Sequence, residues 1–247
     1  MTVWHEDNTF WETMAPVLFA ERRWAVAQTE IDQAMTHLGL SPGAHLLDLC
    51  CGVGRHTLEL ARRGFQMTGV DKTSIYLDRA RKQADIEGLQ VEFVQEDMRN
   101  FYRPETFDGA INLFTSFGYF EDPREDRQVV MNLYRSLKPG GTLVMEMMGK
   151  EVLARVFRDR DWHEEDGIIF MEERKISKNW SWVESRWIML KGNQRAEFTI
   201  SLRLYSAAEL TSLLRECGFN SVEIYGDLAG ASYDQTARRL VAVGHKE

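Results

Sequence analysis

The segment LLDLCCGVGRHTLEL, residues 46–60, combines a carboxylate, two thiols and two glycines where an apolar run gives way to a helical pattern. A turn of this kind can bind an anion through backbone N–H groups at the start of the helix, or hold a metal through its thiolates. Cysteines such as Cys50 and Cys51 are more often small buried side chains than reactive thiols. No histidine stands at metal-ligand spacing from them. We therefore predict neither a metal site nor a redox site here.

The glycine pattern of this turn differs from both common phosphate-binding turns. A Rossmann nucleotide turn needs a third glycine for close packing, and Thr57 stands at that position. After Gly52 and Gly54, no Gly-Lys-Ser/Thr sequence completes a P-loop. Asp48 precedes the glycines, where a carboxylate disfavours phosphate unless it turns away to organise the loop. The turn fits a ligand that offers a carboxylate to the helix N-terminus and carries a positive centre nearby.

Strand and helix patterns alternate from residue 42 to residue 148. Mostly apolar runs predict buried strands that end at Cys50 and that span residues 65–70, 89–95, 107–114 and 142–148. Residues 56–64, 73–88 and 123–141 predict helices, the second capped by Thr73 or Ser74. This alternation predicts an α/β fold with a mostly parallel sheet and helices on both faces. The glycine turn then lies at the carboxyl edge, where open α/β sheets bind ligands.

The two ends of the chain have different patterns. Residues 1–40 carry apolar side chains at helical spacing and predict two helices that end at Gly39, an N-terminal helical cap. Residues 41–247 form the main domain. Within it, strand patterns over residues 168–177, 180–190 and 196–205 predict an antiparallel meander, so residues 150–205 are a β-rich insertion that we expect to act as a substrate lid.

The C-terminal segment returns to the helix and strand patterns of the main domain. Ser206 and Glu209 form a capping box at the start of a predicted helix over residues 206–219. Residues 220–226 and 238–246 predict two strands whose connection is too short for a crossover helix. They therefore pair antiparallel, which makes the last strand antiparallel.

The sequence LLDLCCGVG resembles motif I of the class I S-adenosylmethionine-dependent methyltransferases, D/E-x-G-x-G-x-G. Asp48, Gly52 and Gly54 are in place, and Cys50 stands at the first glycine, so that position must tolerate a small side chain. The resemblance extends over residues 42–148 through VDKTSIYLDRAR, VEFVQEDMRNF, FDGAINLFTSFGYFED and LKPGGTLVMEMM. It implies a Rossmann-like sheet and S-adenosyl-L-methionine as the cofactor. The layout is similar to that of glycine and sugar-amine N-methyltransferases.

Asp71 ends the second predicted strand, 23 residues after Asp48. In nucleotide folds a carboxylate about 20 residues beyond the first turn reaches the ribose hydroxyls, and its two oxygens can accept both protons. The alternative is that Asp71 caps the helix that follows it.

The resemblance supplies roles for further residues. It implies that Asp97 binds the adenine amino group, that Met98 packs on the adenine ring, and that backbone carbonyls after the fourth strand hold the cofactor's amino group. The cofactor-binding residues expected are Asp48, Cys50, Cys51, Gly52, Gly54, Asp71, Lys72, Asp97, Met98, Leu113 and Phe114.

Charge and motifs exclude several substrate classes. A net charge of -8 argues against binding to a nucleic-acid backbone, which needs a basic face. The N-P-P-[YFW] sequence of adenine N6 and glutamine methyltransferases is replaced by Asn112-Leu113-Phe114-Thr115. No apolar run approaches the roughly 20 residues of a membrane span, and the N-terminus has no signal pattern. We expect a cytoplasmic enzyme that methylates an N or O atom of a small molecule, without nucleic-acid or membrane partners.

The sequence does not assign a catalytic residue. Methyl transfer from a sulfonium depends mainly on alignment, and a base is needed only for some acceptors. Tyr119, Glu121 and His163 are candidates on loops that face the site. Arg174 and Arg186 of the insertion are candidates to bind a carboxylate or phosphate of the acceptor.

All seven tryptophans lie in the N-terminal cap or the insertion. They would suit an apolar pocket wall or a contact between two copies, which leaves a homodimer open. Two alternative functions also stay open: a nucleoside-binding scaffold of the same fold without turnover, and an NAD-type oxidoreductase.

Overall fold

A mixed sheet of seven strands carries the glycine turn at one edge in the computed structural model, which describes residues 3–247. The strands are β1 (His45–Leu49), β2 (Gln66–Asp71), β3 (Val91–Gln95), β4 (Phe107–Asn112), β5 (Leu137–Met147), β6 (Arg160–Glu165), β7 (Ile168–Ser177), β8 (Trp182–Lys191), β9 (Gln194–Arg203), β10 (Ser221–Tyr225) and β11 (Leu240–His245). The helices are α1 (Asn8–Leu18), α2 (Glu21–Leu38), α3 (Arg55–Arg62), α4 (Ser74–Glu87), α5 (Pro123–Ser136), α6 (Lys150–Val156) and α7 (Ala207–Glu216), preceded by a 3-10 turn at Trp4–Glu6. Over residues 3–247, none of the helices combines the length and the apolar composition that a membrane crossing requires.

The order of the seven-stranded sheet is β10-β11-β5-β4-β1-β2-β3. Strands β1 to β5 pair in parallel, whereas β11 is antiparallel to both of its neighbours. This confirms the predicted α/β class with a mostly parallel sheet and an antiparallel last strand.

Strand β1 is buried on both faces, as its apolar run predicts. Leu46 packs in one core with Ile31 of α2 and Leu60 of α3, whereas Leu47 packs in a second core with Val129 of α5. Successive side chains of a strand point to opposite faces, so helices cover both sides of the sheet.

The structure corrects one helix boundary and refines two caps. The helix predicted over residues 123–141 ends at Ser136, because Pro139 disfavours helical backbone at the residue before it, and residues 137–141 belong to β5. Thr73 precedes α4, but its side chain makes no cap hydrogen bond. The capping box of Ser206 and Glu209 is confirmed.

The insertion forms a separate antiparallel sheet in the order β6-β7-β8-β9, which confirms the predicted meander. Strand β6 was not predicted. It is an edge strand with charged and mostly exposed residues, so no apolar alternation marks it in the sequence.

The N-terminal helices connect the two sheets. Helix α2 ends at Gly39, as predicted, with that residue in a left-handed conformation. Phe10 and Met14 of α1 pack on Ile168 and Phe170 of β7. The proposed domain boundaries at residues 40, 150 and 205 stay predictions.

Arg203, at the end of β9, joins the insertion to the α/β core. Its backbone N–H donates to the Gly118 carbonyl at 2.7 Å. Its guanidinium donates to the carbonyls of Phe120 and Glu121, at 3.1 and 2.9 Å, and to the buried Asp126 of α5 at 3.0 Å. The last strand of the insertion is therefore fixed to the loop that follows β4.

Candidate functional site

A cavity of about 1360 Å³ lies between the carboxyl edge of the seven-stranded sheet, the N-terminal helices and one face of the four-stranded sheet. Single-ligand pockets usually measure about 300–1,000 Å³, so this cavity has room for a nucleoside-sized cofactor and a second small molecule. The residues predicted to bind the cofactor that line it are Asp48, Cys50, Cys51, Gly52, Asp71, Lys72, Asp97, Met98, Leu113 and Phe114. Gly54 does not line it and lies instead against α4, where a Cβ would be 3.0 Å from that of Ala80.

The glycine turn is held in left-handed backbone conformations. The φ angles of Cys50, Gly52 and Gly54 are 65°, 57° and 80°. Glycine adopts this region freely, whereas a residue with a Cβ loses roughly 1–2 kcal/mol. Cys50 therefore has the backbone that the missing first glycine would have, and its Sγ lies 3.6 Å from the Sδ of Met98.

Asp71 braces this turn from the end of β2. One carboxylate oxygen accepts from the Gly52 backbone N–H and the other from the Thr73 backbone N–H, each at 2.8 Å. Burial raises the pKa of Asp71, and these two hydrogen bonds oppose the rise. The carboxylate thus positions both the turn and the start of α4, and it lines the cavity.

Asp48 turns toward α3. Its Oδ2 accepts from the Thr57 hydroxyl at 2.5 Å, and its side chain is almost fully buried. Burial raises its pKa. Thr57, at the place of the third Rossmann glycine, therefore fixes the carboxylate that precedes the turn.

Asp97 follows β3, which β1 and β2 separate from β4, and it lies in a network of charges. Although burial opposes ionisation, hydrogen bonds from Arg99 lower the pKa of Asp97 to about 2. The ammonium of Lys72 lies 3.4 Å from both Asp97 and Glu6, which links the N-terminus to this edge of the sheet. Asp97 is thus an ionised hydrogen-bond acceptor.

The loop after β4 is shaped by Glu146 of β5. Phe114 and Thr115 have φ angles of 63° and 58°. The Glu146 carboxylate accepts from the Phe114 N–H at 2.7 Å. The backbone carbonyl of Glu146 accepts from the Thr115 N–H at 3.0 Å. Asn112 donates to the Leu49 carbonyl at 3.0 Å, which ties this loop to the end of β1.

Two arginines that were not predicted meet over the Phe114 ring. Their guanidinium carbons lie 4.5 Å (Arg23) and 5.1 Å (Arg55) from the ring centroid. Arg55 is only 5% exposed. Within residues 3–247, its Nη2 and the Nε of Arg23 are buried without a hydrogen-bond partner. Burial, together with the charges of Arg22 and Arg55, lowers the pKa of Arg23.

The arginine pair has a surplus of positive charge. Glu30 accepts hydrogen bonds from both Arg55 and His56, so one carboxylate is shared between two groups. A buried donor without a partner costs about 1–3 kcal/mol, so this end of the cavity fits an anion. Arg55 directly follows Gly54, a sequence signal that was available, whereas nothing in the sequence marks Arg23.

The candidate bases are placed differently from one another. Tyr119 and His163 line the cavity, whereas Glu121 is exposed and does not line it. Burial raises the pKa of Tyr119, so its phenol stays protonated near neutral pH. His5, which was not predicted, also lines the cavity and stacks on Tyr119 with ring centroids 6.3 Å apart.

The histidines fall into two groups within the described chain. Four have a ring nitrogen hydrogen-bonded to the protein: His37, His45, His56 and His245. The other two, His5 and His163, have no such bond to residues 3–247, and both line the cavity, as His56 also does. Burial lowers the pKa of His5, so its imidazole is neutral at pH 7 and can accept a proton.

The insertion contributes only part of what its sequence suggested. Arg174 lines the cavity. Arg186 does not, because it lies on the opposite face of the sheet in ion pairs with Glu173 and Glu197. Three tryptophans line the cavity, namely Trp4, Trp11 and Trp187, whereas Trp162 and Trp180 are exposed.

Residues 46–141 match a family model described as a methyltransferase domain. A protein of Geobacillus sp. (strain WCH70), whose name assigns it to the methyltransferases, is 24% identical over 98% of this chain and 99% of its own length. Among solved structures, an S-adenosylmethionine-dependent methyltransferase from Clostridium acetobutylicum ATCC 824 aligns with a TM-score of 0.79 at 17% identity, over 97% of this chain and 98% of that chain.

A further solved structure contains the cofactor. CalS10 from Micromonospora echinaspora, an amino pentose methyltransferase bound to S-adenosylmethionine, aligns with a TM-score of 0.67 at 23% identity, over 96% of each chain. The matched domain, the relatives and the fold agree with the resemblance to S-adenosylmethionine-dependent methyltransferases, whereas the roles of the individual site residues stay predictions. The comparisons show that the chain contains a methyltransferase domain and has the fold of S-adenosylmethionine-dependent methyltransferases.

Proposed function

We propose that this enzyme transfers the methyl group of S-adenosylmethionine to an N or O atom of a small molecule. The observation that carries the proposal is the pair of buried, unpartnered guanidinium nitrogens of Arg23 and Arg55 at one end of a cavity whose other end holds the ionised Asp97. An amino-acid-bearing nucleoside matches this arrangement, because it has a carboxylate at one end and an amino-substituted base at the other.

The arginine end would hold the cofactor's amino acid. Arg23 and Arg55 would bind its carboxylate, and the loop at Leu113 and Phe114 would hold its amino group through a backbone carbonyl. When bound, the cofactor supplies an activated methyl group on a sulfonium. The role of the protein is to align the acceptor with that methyl group and to exclude water.

The ends of β2 and β3 would hold the nucleoside. Asp71 already accepts two backbone hydrogen bonds, and a carboxylate has about four acceptor positions, so two remain for the ribose hydroxyls. Asp97 accepts from the adenine amino group, and Met98 packs on the ring next to Cys50.

The acceptor lies between the N-terminal helices and the insertion, which form the cap and the lid of the cavity. Trp4, Trp11 and Tyr119 supply an aromatic wall, with the rings of Trp4 and Tyr119 4.9 Å apart. The Nδ1 or Nε2 of His5 can take the proton of an acceptor amine. The aminopentose activity named for one structural neighbour is consistent with such an amine.

Calorimetric titration with S-adenosylhomocysteine tests the cofactor assignment. We expect micromolar binding, no binding of NAD, and weaker binding of 5′-methylthioadenosine, which lacks the amino acid. Tighter binding of NAD than of S-adenosylhomocysteine would overturn the proposal. Transfer of a radiolabelled methyl group to members of a small-molecule library distinguishes a working enzyme from a scaffold that binds without turnover.

A further inference from the structure

The face of the four-stranded sheet that borders the cavity carries a row of polar side chains. Asp161, Glu172 and Trp187 are direct cross-strand neighbours on β6, β7 and β8, and Arg174 and Ser185 form the adjacent pair. All five line the cavity. We call these five residues the polar strip.

The polar strip interrupts a face that is otherwise apolar. Phe170 and Ile200, on the same face, pack against Phe10 and Met14 of α1. Trp187 lies at the boundary, since its ring still contacts Phe10 of α1 with centroids 5.9 Å apart. Polar groups on a covered face cost free energy unless they form hydrogen bonds, so their place beside an open cavity points to a ligand.

Glu172 is the fixed centre of the strip. Its Oε1 accepts from the Trp187 indole N–H at 2.7 Å, and its other oxygen accepts from the Arg174 guanidinium. Arg174 in turn donates to the Arg158 carbonyl at 3.3 Å. These contacts orient the carboxylate but use only about two of its four acceptor positions.

The charges of the strip favour a cation. Asp161 and Glu172 lie directly opposite each other, and like charges in that position destabilise strand pairing. Burial raises the pKa of Glu172 against the opposing effects of Arg174 and Trp187, and the charge of Asp161 adds a smaller rise. Arg158 is 3.7 Å from Asp161, but the two side chains are 71% and 45% exposed, so water screens this pair and also weakens the repulsion between Asp161 and Glu172.

We propose that the polar strip binds the methyl acceptor and that the acceptor presents an amine to Glu172. This inference rests on the proposed function and specifies its substrate class. A protonated amine donates to the two free acceptor positions of Glu172 and offsets the repulsion from Asp161. Trp187 fixes the carboxylate and contributes an apolar surface beside it.

The test follows the Trp187 indole N–H, which donates to Glu172 and so reports on its occupancy. Protein labelled with ¹⁵N-tryptophan and saturated with S-adenosylhomocysteine is titrated with cyclohexylamine and, separately, with cyclohexanol. The Trp187 signal is assigned from Trp187→Phe. We expect the amine to shift this signal at concentrations about tenfold below those at which the alcohol does.

The variants Glu172→Gln and Glu173→Gln form a matched pair. They are adjacent on β7 but lie on opposite faces, and Glu173 pairs with Arg160 and Arg186 away from the cavity. Glutamine at 172 keeps an oxygen that accepts from Trp187, so the sheet is preserved. The apparent affinity for the amine should fall about tenfold in Glu172→Gln and stay within twofold of wild type in Glu173→Gln.

Equal responses of the two variants, equal responses to amine and alcohol, or no response at Trp187 would each overturn the inference. Both variants should bind S-adenosylhomocysteine as wild type does. If S-adenosylhomocysteine itself fails to bind, the proposed function fails. If it binds and Trp187 does not distinguish amine from alcohol, only the amine assignment fails.

Discussion

The seven-stranded and four-stranded sheets both border the cavity, but they contribute to it by different means. The parallel sheet contributes turns in which residues such as Cys50 and Phe114 adopt left-handed conformations and line the cavity. The antiparallel sheet contributes alternate side chains of extended strands, such as Glu172 and Trp187. The first site depends on backbone geometry and the second on side-chain charge, so the two should respond to mutation differently.

The largest effect is expected at the backbone site, from Asp71→Ala. This change removes the acceptor for Gly52 and Thr73 and the proposed acceptor for both ribose hydroxyls, and hydrogen bonds to a charged group contribute about 1.5–3 kcal/mol each. Affinity for S-adenosylhomocysteine should fall about a thousandfold by calorimetry. Asp78→Ala, on the exposed side of α4, is the control. If Asp71→Ala weakens this affinity less than tenfold, the glycine turn and Asp71 do not bind the cofactor.

Asp126→Asn tests the contact between the insertion and the α/β core. Asp126 accepts from Arg203 at 3.0 Å and from Tyr205 at 2.7 Å, and burial raises its pKa to about 6. Since the folded pKa lies above the unfolded value of 3.8, its contribution to stability is fully present below pH 3.8 and is lost as pH rises to about 6.

The free energy of unfolding of the wild type should therefore fall by about 2 kcal/mol relative to Asp126→Asn between pH 4 and 6. Urea unfolding at several pH values measures this difference. Parallel pH profiles for the two proteins would contradict the assignment.

Arg23→Met sharpens the contrast between backbone and side-chain binding within the cofactor site. The loss of one charged contact to the cofactor's carboxylate should weaken S-adenosylhomocysteine binding about tenfold, or about 1.4 kcal/mol. Binding of 5′-methylthioadenosine should not change, because it has no carboxylate. Arg62→Met, on the exposed side of α3, is the control. Equal losses for both ligands would place Arg23 away from the amino acid.

The smallest effect is expected from Cys50→Gly, which restores the glycine of motif I. Relief of the left-handed strain, roughly 1–2 kcal/mol, is largely offset by the greater backbone entropy of unfolded glycine and by the lost contact with Met98. Thermal unfolding should show a change within about 1 kcal/mol, and cofactor affinity should stay within twofold. A large loss of affinity would give the thiol itself a role in binding.

Local sequence signals predicted much of the parallel region. Asp48, Gly52 and Gly54 occur within seven residues, and the apolar run before them fixes the strand that positions them. The antiparallel pairing of the last strand was predicted from the short connection between the last two strands. The predicted end of α5 was wrong although Pro139 marks it. Apolar side chains at helical spacing continue beyond the last residue that a following proline allows in a helix, and they concealed this boundary.

The residues that sequence reasoning missed depend on contacts between distant segments. Arg23 and Arg55 come from different helices, and only the folded chain places them on Phe114. The polar strip depends on the register between β6, β7 and β8, which alternation alone does not set. Arg174 and Arg186 looked equivalent in the sequence, yet they lie on opposite faces of the insertion.

Arg203 fastens the final strand of the insertion to the loop that bears Tyr119. If the four-stranded sheet moves outward to admit an acceptor, this loop must move with it. Acceptor entry and the placement of the aromatic wall are therefore coupled. An insertion transferred from another enzyme would align a new acceptor with the methyl donor only if it retained this arginine.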